Sequence, residues 1–207
     1  MYEYVTKEEV KIAKSEIEEV IHRVQKFLKG KISFQYHLIG SASNQRNLVT
    51  RIRNGNQGFD LDYNIELQNV DKKLDNAKTI KKTIMDAFNK CLPNKFKDCS
   101  DSKSVFTIKR VSNKKIVYSY DFAIVSYYND KNGCERQEYI KFIRPDSYSW
   151  TPRPIKKDYR AMIQWVKEHV YWDYVKEIYL DKKNSEPDKK SRIIFYQTIL
   201  EIYESNK

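Results

Sequence analysis

The stretch His37-Leu38-Ile39-Gly40-Ser41, followed by Phe59-Asp60-Leu61-Asp62-Tyr63-Asn64-Ile65, decides the fold of this 207-residue chain. The first stretch is typical of a short apolar strand that ends in a Gly-Ser turn. The second alternates apolar and polar residues, as a half-buried strand does. Side chains two apart on a strand point to the same face, so Asp60 and Asp62 can hold one hard cation between them. A Gly-Ser turn offers backbone N–H groups and a hydroxyl to a phosphate. The two features together predict nucleotide chemistry.

The alternation in the second strand leaves another interpretation open, in which Asp60 and Asp62 simply face solvent. Two observations favour the cation. Aspartate is disfavoured in strands, and two like charges on one face repel unless something neutralises them. A third acid, Asp121, lies in an aromatic and β-branched run over residues 116–125. A carboxylate with such neighbours needs a partner that offsets its desolvation, either a cation or a lysine in a structural salt bridge.

The Gly-Ser turn, the Asp-x-Asp strand and the later strand with a third aspartate together resemble the polymerase-β-like nucleotidyltransferase superfamily. The resemblance extends over about residues 32–125. It implies that Asp60, Asp62 and Asp121 are catalytic and bind Mg²⁺ or Mn²⁺, and that Gly40 and Ser41 bind the nucleotide. Further nucleotide-binding candidates are basic and hydroxyl residues of the loop and of the last helix, namely Arg46, Lys190 and Ser191.

The resemblance implies an enzyme that moves a nucleoside monophosphate from an NTP to an acceptor and releases pyrophosphate. The acceptor is a nucleotide, RNA, a protein or a small molecule. Two alternatives remain open: a non-catalytic nucleotide- or nucleic-acid-binding protein on the same fold, and a metal-dependent nuclease that uses the same acids. The nuclease leaves the Gly-Ser turn unexplained.

One segment departs from the family pattern. From Gly40 to Asp60 the chain runs 60 − 40 = 20 positions, which is longer than the family's usual path. This segment is either a longer nucleotide-binding loop or the sign of an altered phosphate site. Within it, Arg51 and Arg53 either contact a triphosphate or belong to a solvated basic loop.

The order of elements predicts an α+β fold with a mixed or antiparallel sheet, flanking helices and a C-terminal helical cap. Thr6 and Glu9 have the spacing of a capping box and open a helix over residues 7–29. Residues 42–58 are predicted as a loop with a short helical turn, 75–91 as a helix, and 130–133 as a hairpin turn. Arg144-Pro145 and residues 150–154 form a proline-rich connector. We therefore expect a nucleotidyltransferase-like core over residues 1–145 and helices over 146–207, which begin near residues 157, 172 and 191.

Composition narrows the partners and the compartment. The net charge is +11 and the sequence pI about 9.3, which suits an anionic partner such as a nucleotide or RNA. Lysines are scattered, however, as a general coding bias would also produce. The three cysteines are widely spaced and no Cys/His cluster accompanies them, so we expect a reducing cytoplasm and neither zinc nor disulfides. The sequence shows neither a signal-peptide pattern nor an apolar run long enough to cross a bilayer, so no membrane partner is expected.

Overall fold

The computed structural model describes residues 1–43, 46–56, 58–68, 76–145, 147–154 and 159–206. Within these ranges it contains nine strands and five helices. The strands are β1 (Tyr2–Tyr4), β2 (Ser33–Ile39), β3 (Thr50–Ile52), β4 (Phe59–Gln68), β5 (Phe96–Asp101), β6 (Phe106–Ser112), β7 (Lys115–Asn129), β8 (Glu135–Arg144) and β9 (Ser147–Pro152). The helices are α1 (Lys7–Phe27), α2 (Ala77–Cys91), α3 (Arg160–His169), α4 (Trp172–Ser185) and α5 (Ser191–Asn206). A single 3₁₀ turn spans Gly40–Ala42.

Seven of the strands form one mixed sheet, in the order β2-β4-β7-β6-β5, with β8 paired to β7 and β9 to β8. The pairing of β4 with β7 is parallel, and the other ladders described in this sheet are antiparallel. The long strand β7 pairs with β4 and β6 along its first part and with β8 near its end. The predicted α+β class with a mixed sheet is confirmed.

Helices α1 and α2 pack on one face of this sheet. The capping box that opens α1 is present, because the Thr6 hydroxyl accepts from the Glu9 backbone N–H while the Glu9 carboxylate accepts from the Thr6 N–H. Tyr120 of β7 donates to the Ala13 carbonyl of α1, and Phe88 of α2 contacts Phe122 of β7. Since the apolar residues of β4 are buried in the same core, the aspartates of β4 lie on the opposite face of the sheet.

Four strands, namely β1, β3, β5 and β9, were not predicted from the sequence. The predicted connector after Pro145 contains β9, because Tyr148, Trp150 and Thr151 supply the aromatic and β-branched residues of a strand. The predicted loop contains β3, which pairs with β1. Residues 44, 45 and 57 of that loop, and the predicted helix starts at residues 75 and 157, lie outside the described residues.

Contacts divide the chain into two compact units. One, which we call the sheet unit, consists of residues 5–49 and 55–154, and the other, the helical unit, combines residues 1–4, 50–54 and the chain after residue 154. The chain thus stays in the sheet through β9, and the predicted boundary after residue 145 stays a prediction. None of the helices in the described ranges is both long and apolar enough to cross a membrane.

Candidate active site

The three predicted acids lie on adjacent, parallel strands of the sheet unit. Asp62 of β4 is in register with Asp121 of β7, and Asp60 is in register with Ser119. Cross-strand partners project to the same face of a sheet, as do residues two apart on one strand. The structure therefore brings all three carboxylates together on the face opposite the core.

The turn after β2 lies against one of these acids. Gly40 has φ +71°, and a Cβ atom added to it would lie 2.5 Å from Oδ2 of Asp62. The backbone conformation therefore favours glycine at this position, and any other residue would have to displace the Asp62 carboxylate. The fold places the predicted phosphate-binding turn directly beside the predicted metal ligands, since Ile39 is the register partner of Asp62.

Hydrogen bonds to its own carbonyls hold this turn in shape. The Gly40 carbonyl accepts from Oγ of Ser43 at 2.8 Å and from Nη1 of Arg46 at 3.4 Å. The Ser41 carbonyl accepts from the Leu48 N–H at 3.1 Å. Arg46, which was predicted to bind the nucleotide, thus supports the turn through a backbone contact in this structure. Nucleotide binding by Gly40, Ser41 and Arg46 stays a prediction.

Burial and neighbouring carboxylates raise the pKa values of Asp62 and Asp121. Burial, then Asp121 and Asp60, raises the pKa of Asp62 to about 6. Burial also raises the pKa of Asp121, with Asp60 acting in the same direction, while a hydrogen bond from Thr107 and the charge of Lys109 partly oppose the rise. Like charges that burial keeps from being screened by water produce this pattern, and it is typical of functional sites.

Two hydroxyls that the sequence analysis missed donate to these acids. Ser119 donates to Oδ1 of Asp60, and Thr107 of β6 donates to Oδ1 of Asp121 at 2.5 Å. Each hydroxyl is the register partner of the carboxylate it contacts. The only sequence signal was the spacing Ser119-x-Asp121, which matches Asp60-x-Asp62 on the neighbouring strand.

The chemistry of the donor set fits a hard divalent cation. Three carboxylates supply oxygen ligands, and their mutual repulsion is what a bound cation would offset. Within the described residues, no group of three or more His, Cys, Asp or Glu side chains could hold a metal ion with the side chains as they stand.

The remaining predicted residues belong to the helical unit. Lys190 is exposed just before α5, and Ser191 accepts a hydrogen bond from the buried Lys183 at 2.8 Å. Lys183 was not predicted from the sequence. It is buried and contacts Ser191 directly, whereas Lys190 is exposed. Arg51 and Arg53 of the predicted loop form ion pairs with Glu3.

The fold has known counterparts among solved structures. No family model and no curated protein sequence matches the chain. The GTP-bound form of DncV from Vibrio cholerae matches with a TM-score of 0.55 and 14% identity, over 96% of this chain and 52% of that one. The CdnE cyclic dinucleotide synthase of Elizabethkingia meningoseptica, with GTP and Apcpp, matches with a TM-score of 0.52 and 10% identity, over 90% and 67%. The chain has the fold of the polymerase-β-like nucleotidyltransferases.

A third similar structure is that of the cyclic AMP-GMP synthase DncV of Vibrio cholerae, which is described as a prokaryotic cGAS homolog. Its TM-score is 0.54 at 10% identity, over 85% of this chain and 60% of that one. The chain therefore spans roughly half to two thirds of the length of these three structures. The resemblance drawn from the Gly-Ser turn and the three aspartates is confirmed for the fold.

Proposed function

We propose that this chain is a metal-dependent nucleotidyltransferase, which moves a nucleoside monophosphate from an NTP to an acceptor hydroxyl and releases pyrophosphate. The observation that supports it most directly is the register of Asp62 with Asp121 on parallel strands, with Asp60 on the same face and Gly40 against Asp62. A protein that merely binds anions gains nothing from three aspartates gathered beside a phosphate-binding turn.

Each residue has a separate part in this proposal. Asp60, Asp62 and Asp121 would hold Mg²⁺ or Mn²⁺. Such ions, when bound, stabilise negative charge on the attacking and leaving oxygens of an in-line displacement. The backbone N–H groups of the turn at Gly40 and Ser41 would bind the terminal phosphates and align the leaving group. Asp121, whose pKa is raised by burial, would accept the proton of the acceptor hydroxyl.

For the acceptor we propose a second nucleotide. The structural neighbours include synthases of cyclic dinucleotides, and one structure of DncV holds the linear intermediate pppA(3′,5′)pG. The net charge of +11 suits a second polyphosphate better than a cationic small molecule. RNA is the acceptor that the same charge would favour next.

The test is a turnover assay with the purified chain, pairs of labelled NTPs, and Mg²⁺ or Mn²⁺, with and without RNA. We expect pyrophosphate and a new labelled nucleotide from the wild type, and at least a 100-fold loss with Asp121→Ala. Asp86→Ala, which removes an exposed aspartate of α2, is the matched control and should keep full activity. Tight nucleotide binding with no turnover, unchanged by Asp121→Ala, would instead favour the non-catalytic binding protein.

A further inference from the structure

Two hydroxyls lie directly across the sheet from two of the three acids. We propose that Ser119 and Thr107 are positioning residues, which fix the Asp60 and Asp121 carboxylates for a divalent cation. The inference rests on the proposed function and extends it to residues outside the Gly-Ser turn and the aspartates themselves. Ser119 faces Asp60 across the parallel ladder, and Thr107 faces Asp121 across the antiparallel ladder on the other side of β7.

The geometry is the same on both sides. Each hydroxyl donates to Oδ1 of its partner, and a hydrogen bond to one carboxylate oxygen restricts the rotation of the whole carboxylate. Carboxylates that bind metals are generally held in this way by a further hydrogen bond, which sets their orientation. Two strands that run in opposite directions thus supply the same contact to neighbouring acids.

Asp62, between them, is positioned differently. Its register partners are Ile39 on one side and Asp121 on the other, so neither side offers a hydroxyl. Its Oδ2 atom lies instead against the backbone of Gly40. Each of the three acids is therefore held by a different contact. Asp60 is held by a serine, Asp121 by a threonine, and Asp62 by the glycine turn.

The neutral character of both donors is what a cation site needs. A lysine or arginine in the same place would neutralise the carboxylate and compete with the cation for its charge. A hydroxyl fixes the orientation and leaves the negative charge available. The nearby Lys109 lowers the pKa of Asp121 through its charge, yet the direct hydrogen bond comes from Thr107.

Burial would make the Ser119 hydroxyl destabilising if it had no hydrogen-bond partner. It is 6% exposed, between the aromatic residues Tyr118 and Tyr120. A buried hydroxyl without a partner costs roughly 1–3 kcal/mol. Alanine would fit the same space without this requirement, so the bond to Asp60 is what Ser119 contributes.

The test measures Mn²⁺ binding by titration calorimetry without nucleotide, in Thr107→Val and Ser119→Ala. Because such supporting contacts affect metal affinity by about 10–100-fold, we expect the Kd for Mn²⁺ to rise by about 10-fold in each variant. Thr107→Ser should restore it. The control is Ser126→Ala. Ser126 lies on β7 like Ser119, is also 6% exposed, and points to the face of the sheet opposite the three acids.

The turnover assay supplies a second readout. The activity lost by Thr107→Val should return at saturating Mn²⁺, because the variant raises the apparent Kd for Mn²⁺ and leaves kcat unchanged. Wild-type Mn²⁺ affinity in both Thr107→Val and Ser119→Ala, or an equal loss in Ser126→Ala, would overturn this inference alone. A wild-type chain that binds no Mn²⁺ would overturn the proposed function together with it.

Discussion

At the scale of single residues, stability and metal binding place opposite demands on Asp62. Its pKa of about 6 means that the folded protein resists ionising it, because the carboxylate is partly buried beside two other acids. A metal-binding site needs that ionised form. The residue therefore weakens the metal-free fold at neutral pH in return for a site with high charge density.

This opposition predicts an unusual pH dependence. The folded pKa of Asp62 lies above its usual value of 3.8, so the folded state binds more protons than the unfolded state between about pH 4 and pH 6. The stability contributed by the protonated form is complete below about pH 4 and is lost as pH rises through 6. Without metal, Asp62 alone should contribute a loss on the order of 2 kcal/mol across this range, measured by thermal unfolding as the difference between the wild type and a variant that cannot ionise at this position.

The Asp62→Asn variant tests the assignment of this effect. It should unfold at a higher temperature than the wild type at pH 7 without metal, and it should lose most of the difference between pH 4 and pH 6. Mn²⁺ should stabilise the wild type, since a ligand that binds only the folded state raises its stability, and should have little effect on the variant. A variant less stable than wild type at pH 7 would show that the Asp62 carboxylate supports the fold.

At the scale of elements, local patterns predicted the long segments well. Helix α1 was predicted over residues 7–29 and found at Lys7–Phe27, because its cap and its apolar spacing are both local signals. The short strands β1 and β3 were missed, since each has three residues and its partner lies about fifty positions away. Pairing that distant leaves no signal in either segment alone.

The residues of the candidate site could likewise be predicted only in part from the sequence. The three aspartates could be proposed from strand alternation and order along the chain. Their partners Ser119 and Thr107 could not, because a hydroxyl becomes the neighbour of a carboxylate only through the register of two strands. A shift of two residues would keep every residue on its predicted face and still separate Thr107 from Asp121.

The turn between β2 and the next strand gives a prediction at this scale. In Gly40→Ala, the left-handed backbone conformation costs roughly 1–2 kcal/mol, and the new Cβ atom must displace the Asp62 carboxylate. We expect nucleotidyl transfer to fall by at least 10-fold. The control is Gly30→Ala after α1, where φ is +81° and nothing lies within 4 Å of the added Cβ. That variant should lose similar stability and keep its activity, and equal activity losses in both would remove the special role of the turn.

At the scale of the whole molecule, the long path from Gly40 to Asp60 has a structural explanation. The chain leaves the sheet unit after residue 49, forms β3 in the helical unit, and returns at residue 55. There β3 pairs with β1, and Glu3 forms ion pairs with Arg51 and Arg53. Residues 50–54 of the segment that the sequence presented as a loop therefore belong to the helical unit.

The far ends of the chain meet in that unit. The Tyr2 N–H donates to Oδ1 of Asn184 at 2.5 Å, Nδ2 of Asn184 donates back to the Tyr2 carbonyl at 3.4 Å, and the Tyr4 hydroxyl donates to the Lys176 carbonyl. All these partners lie on α4. The β1–β3 ribbon is thus attached to a helix about 180 positions away in sequence.

Asn184→Ala tests whether this attachment stabilises the unit as a whole. Loss of both hydrogen bonds to Tyr2 should cost about 1–2 kcal/mol, which corresponds to a fall in Tm of roughly 2–6 °C. Amide hydrogen exchange should rise together over residues 1–4, 50–54 and 172–185, because the ribbon and the helix depend on each other for order. Ser185→Ala removes the hydroxyl of an exposed neighbour, which donates to the Lys182 carbonyl of the same helix, and should leave exchange unchanged. A rise confined to the last turn of α4 would show instead that the ribbon is held by its ion pairs and needs no contact with the helix.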